Sequence, residues 1–135
     1  MPGPDPAHWL HRLTAAEWLA AAATELAHAE AAAERRASRV ALTHARRSAG
    51  MAWNAVLVGH PDERAGRSYM DHVVALCDDP AAPEAVRAAA RLLRESSTVP
   101  PALIKLAAPG APPDSRLVRA ARDIVEHATR VVSPS

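Results

Sequence analysis

Glu25 and His28 stand three residues apart, the spacing by which one helix offers a carboxylate and an imidazole to a di-iron site. Such a centre also needs a second Glu-x-x-His on another helix and two further carboxylates, and the sequence holds no second copy. His8 and His11 repeat the three-residue spacing beside a Pro-rich start, with no third partner to complete a zinc site. The expectation is therefore no metal and no cofactor. No Gly-rich phosphate loop and no serine nucleophile elbow is written in the chain either.

The other chemical signal is cationic. Arg35, Arg36, Arg39, Arg46 and Arg47 fall between Arg35 and His60 with no acid among them. At 100° per residue Arg35, Arg39 and Arg46 share one helix face, with Arg36 and Arg47 beside it. Such a ridge can follow a phosphate backbone, and these five are the candidate nucleic-acid-binding residues. The structural alternative is a solvated face paired with a neighbouring helix's acids. A formal net charge of +1 leaves local clustering as the only electrostatic pointer to a polyanion.

Helices must position these groups. Thr14 and Glu17 spell a capping box, with Leu13 and Trp18 placed as its hydrophobic staple. The first helix then carries Trp18, Leu19, Ala22, Leu26, Ala29 and Ala33 as an apolar stripe. The second is expected from an N-cap at Ser38 to about Val58, closed by Gly59 and Pro61, with His44 at its core edge. A third covers about Ala65 to Asp78, and a fourth about Pro83 to Glu95. Five prolines make Ser96 to Pro113 mostly loop, with one helical turn allowed around Leu103 to Ala107. Asp114 caps the last helix, which runs to about Val132.

The reading is all-α: a single bundle of four to five helices over residues 14–132, with tails at 1–13 and 133–135. At 135 residues and 49% hydrophobic content the chain has the size and composition of one folded domain. Aromatics are only 3%, so the core is built on Ala, Leu and Val, and helices meeting through Ala can approach closely. Cys77 is the single cysteine, expected as a buried inert thiol in a reducing, cytoplasmic setting. Met1 to Pro6 lack the basic start and apolar run of a secretory signal, and no membrane span is expected.

Several residues together carry a resemblance. They are Trp18, Leu19, Ala22, Glu25, Leu26 and Ala29 in the first helix; Ala45, Arg46, Ala49, Ala52, Trp53, Ala55 and Leu57 in the second; His72, Val73 and Leu76 in the third; and Ala121, Ile124, Val125 and Ala128 in the last. In their order and apolar spacing, over roughly Ala15 to Val132, the chain resembles a HEPN domain, the helical nucleotide-binding module of higher eukaryotes and prokaryotes. The resemblance implies a homodimeric bundle that binds nucleotide or RNA, in many members a metal-independent ribonuclease serving as a toxin or defence component. It also leaves room for a non-catalytic homodimeric module whose partner is another protein.

Catalytic members carry Arg, four to six residues, then His. The matching pairs are Arg67 with His72 and Arg122 with His127; Arg39 with His44 has the spacing but lacks the polar residue that should follow the Arg. In that chemistry His moves the proton of a 2′-hydroxyl while Arg steadies charge on the phosphate. Five positions turn through about 140° on a regular helix, so each pair converges only at a distorted turn or across a dimer interface. The structural alternatives are an Arg67–Asp71 ion pair with His72 in a helix interface, and an Arg122–Glu126 ion pair with His127 near a helix C-terminus.

Overall fold

The Thr14 hydroxyl accepts the Glu17 N–H at 3.1 Å while the Glu17 carboxylate accepts the Thr14 N–H at 3.0 Å. This expected capping box opens α1, Ala15–Glu34, in the computed structural model, which describes residues 9–62, 65–96 and 114–133. Just before it, a short 3-10 helix, Trp9–Arg12, presents the Leu10 carbonyl to the Trp18 indole N–H at 2.9 Å. The His8 and His11 side chains and the turn expected at Leu103 to Ala107 lie outside the described residues.

The turn out of α1 has no glycine, and Arg36 takes the role one would fill. Its φ is +58°, its N–H bonds the Ala33 carbonyl at 3.0 Å, and the Ala37 N–H bonds the Ala32 carbonyl at 2.9 Å. Those two bonds make a Schellman motif with Arg36 at the left-handed position. After it α2, Ser38–Gly59, begins without a side-chain cap: the Ser38 hydroxyl, expected to cap it, donates instead to Asp114 at 3.0 Å.

The third helix, α3, Tyr69–Cys77, starts later than Ala65 because a second capping box sets its first turn. The Ser68 hydroxyl accepts the Asp71 N–H, and the Asp71 carboxylate accepts the N–H groups of Ser68 and Arg67. Gly66, at φ +72°, supplies the left-handed residue ahead of that box. Then come α4, Glu84–Glu95, and α5, Asp114–Val132. Among the described residues the regular structure is all helical, and no helix is long and apolar enough to cross a membrane.

The second helix is the central element, packed against α1, α3 and α5, with α4 bridging α3 and α5. Every residue from Ser48 to Leu57 is buried, so this stretch faces protein all round. Small side chains bring α1 and α2 together: Ala22, Ala29 and Ala32 on one, Ala41, Ala45 and Ala49 on the other. The buried Ser48 hydroxyl donates across that seam to the Ala22 carbonyl at 2.8 Å. Gly50 lets α3 approach, since a Cβ there would overlap the Cα and Cβ of Tyr69. Cys77 is buried as expected, its thiol donating to the Val73 carbonyl, and burial pushes its pKa up. Fully buried Asn54 has no hydrogen-bond partner for either end of its amide among the described residues.

Candidate functional site

The two Arg–His pairs expected for catalysis are not brought together within the chain. His72 is fully buried, with Nδ1 donating to the Ala65 carbonyl at 2.8 Å, whereas Arg67 is exposed. Burial holds the His72 pKa below its ordinary value, against the opposing pull of the Ala65 bond and nearby Asp71. Asp71 does engage Arg67, through the backbone N–H at 3.2 Å; the two side chains form no ion pair. That pairing alternative is thus corrected, because the carboxylate is taken up by the α3 cap.

Arg122 and His127 serve different neighbours of α5. Arg122 forms an ion pair with Glu30 of α1, not with Glu126 on its own helix. The His127 ring stacks on Trp53 of α2 at 5.9 Å between centroids and 14° between planes. Burial first, then Arg130, lowers the His127 pKa. An arginine turned toward α1 and an imidazole laid on α2 share no groove.

The five-arginine ridge is also divided. The Schellman turn at Arg36 breaks the helix on which a common face was counted, so Arg35 and Arg36 precede α2. Arg46 reaches the end of α4, where Nε donates to the Leu93 carbonyl at 2.8 Å and Nη2 to the Ser96 carbonyl at 2.7 Å. It thereby satisfies carbonyls that α4 itself leaves unpaired, and desolvation lowers its pKa. Arg47 pairs with Glu25 at 3.1 Å. Arg35, Arg36 and Arg39 stay exposed and make no ion pair among the described residues. Sequence periodicity could not separate the two groups, since the acid and the carbonyls that consume Arg47 and Arg46 come from other helices.

Beside Arg35 lies the one cluster of potential metal-ligating side chains found among the described residues: Glu25, His28 and His44. Glu25 sits on the buried face of α1, between Ala22 and Ala29, and its Oε2 meets His44 Nδ1 at 2.5 Å while Oε1 faces Arg47. The His28 and His44 rings meet edge to face, with centroids 5.1 Å apart. Their ligand atoms and that of Glu25 all lie within 4.8 Å of one another. An open groove lined by His28, Ala31, Arg35, Val40 and His44 leads to them. The Glu25/His28 spacing was legible; the third group, His44 on α2, was read as core-edge packing, and no local pattern ties it to α1.

Comparison with family models, with curated proteins and with solved structures finds no match to this chain.

Proposed function

We propose that the chain is a HEPN-like module that binds RNA or nucleotide through phosphate contacts at the α1–α2 corner. The observation that supports this most is Arg36 itself, an arginine at φ +58° where glycine is the usual residue. A side chain there costs about 1 kcal/mol of backbone strain, and strain of that kind gathers at functional positions. Exposed Arg35 and Arg39 flank it, and none of the three makes an ion pair among the described residues. Planar guanidinium groups bind phosphate oxygens in pairs of parallel hydrogen bonds, so three at one corner suit a polyanion.

Strand cleavage is not assigned to Arg67 with His72 or to Arg122 with His127, whose separate surroundings within one chain give a phosphate and its 2′-hydroxyl no common site. Homodimerisation belongs to the same reading through the HEPN resemblance, and light scattering measures it; a cytoplasmic setting is proposed from the single cysteine, Cys77.

Fluorescence anisotropy with a short labelled single-stranded RNA tests the proposal. Three phosphate contacts give log affinity against log salt a slope of about −2, and each arginine removed should flatten it by about 0.7. Arg36→Gly should weaken RNA binding while making the fold more stable by about 1 kcal/mol. A flat salt response, or unchanged affinity after Arg35→Ala, Arg36→Gly and Arg39→Ala together, would end this reading. Any metal-free cleavage should survive Arg67→Ala and Arg122→Ala; its loss in either returns that pair to the mechanism.

A further inference from the structure

We infer that Glu25, His28 and His44 form a binding site for one divalent first-row transition ion, zinc foremost, with an open coordination position toward the groove. Its three ligands are none of the arginines of the RNA reading, and it does not depend on that reading.

The donor set is two imidazole nitrogens and one carboxylate oxygen, which suits Zn²⁺, Ni²⁺, Cu²⁺ or Fe²⁺ and not the all-oxygen preference of Mg²⁺ or Ca²⁺. Around a tetrahedral zinc with ligand bonds near 2.1 Å, donor atoms sit about 3.4 Å apart. The ligand atoms here lie within 4.8 Å of one another, and the Glu25–His44 contact is 2.5 Å. Seating an ion therefore widens the Glu25–His44 spacing by roughly 1 Å and closes any that approach the 4.8 Å limit. The exposed His28 side chain has the freedom to make that adjustment.

Glu25 and His44 already satisfy one another as an acid–base pair, with Arg47 completing the carboxylate. His28 is the residue that such a pair leaves unexplained, a second imidazole set edge-on to the first. Arg47, held on Oε1, leaves Oε2 as the single donor and fixes the carboxylate's orientation, as groups behind metal ligands do. Three protein ligands with a face open to solvent are the pattern of a site that binds water or an anion in its fourth position. Arg35 lines the groove on that side.

The test titrates chelator-stripped full-length chain with Zn²⁺ by calorimetry and with Co²⁺ by visible absorption, with Mg²⁺ as the hard-ion control. One ion per chain is expected, with His28→Ala and His44→Ala each weakening binding by more than about a hundredfold, and Arg47→Ala by about tenfold or more. His28→Ala is the decisive variant because its side chain is exposed and the helical circular dichroism should be unchanged. His8→Ala with His11→Ala should leave the titration as it was. Zinc binding that is absent, that survives His28→Ala in the folded variant, or that is lost with His8 and His11 instead would overturn the site. None of these outcomes bears on RNA affinity measured in chelator, so failure here and failure of the phosphate reading are told apart.

Discussion

His72 shows how one residue can look catalytic in sequence and be structural in the fold. Its ring is fully buried and its Nδ1–H is spent on the Ala65 carbonyl, pinning the loop that leads into α3. Burial disfavours the imidazolium, so the folded-state pKa lies below the unfolded value of about 6.5. The unfolded chain then binds the extra proton first, and the contribution from neutral His72 is whole above pH 6.5 and lost as pH falls through the folded-state value. His127, lowered by burial on Trp53 and by Arg130, acts in the same direction. Urea unfolding at pH 7.5 and about pH 5.5 should therefore show stability falling with acid, at up to about 1.4 kcal/mol per pH unit from His72 and by less from the partly exposed His127. His72→Asn, whose amide nitrogen takes the place of Nδ1 as donor to Ala65, should flatten that slope; an unchanged slope would mean the buried ring takes up its proton as readily in the folded chain as in the unfolded one.

At the scale of elements, what distinguishes α2 is the small residues it turns toward its neighbours. Alanines line its seam with α1, and Gly50 leaves room for the Tyr69 backbone at the start of α3. A methyl at that position meets main chain and Cβ, not the tip of a flexible side chain, so it cannot be accommodated by a rotamer change. Gly50→Ala is expected to destabilise the protein by about 2–3 kcal/mol despite alanine's better helix propensity, which alone would stabilise by about 1 kcal/mol. Thermal unfolding followed by circular dichroism decides between the two signs. Loss should centre on α3, at nine residues the shortest α-helix among the described residues.

For the molecule as a whole, Arg46 ties the central helix to the far end of α4. Its guanidinium answers the Leu93 and Ser96 carbonyls, where the negative end of the helix dipole also favours a cation. Arg46→Met keeps much of the aliphatic stem and removes all three charge-assisted hydrogen bonds, the third being a longer one to the Arg94 carbonyl. It should cost about 2 kcal/mol in urea unfolding, with faster amide exchange in the last turn of α4. Unchanged stability would mean that water replaces the guanidinium at those carbonyls without penalty.

The all-α class, the α1 capping box, the end of α2 at Gly59 and the apolar stripe of α5 could be read without coordinates. Each depends on residues three or four apart, or on a cap next to its helix, and such contacts are determined by the backbone's own geometry. The Ser68/Asp71 box was equally local and explains the late start of α3. The turn at Arg36 was not legible, because its left-handed residue is not a glycine. Which arginines face solvent, and which histidine joins Glu25, depended on how α2 is rotated and set against α1 and α4. That rotation is decided by alanine packing between residues far apart in the chain, so the Arg46 anchor, the Arg47 ion pair and the Glu25–His28–His44 cluster exist only once the helices have docked.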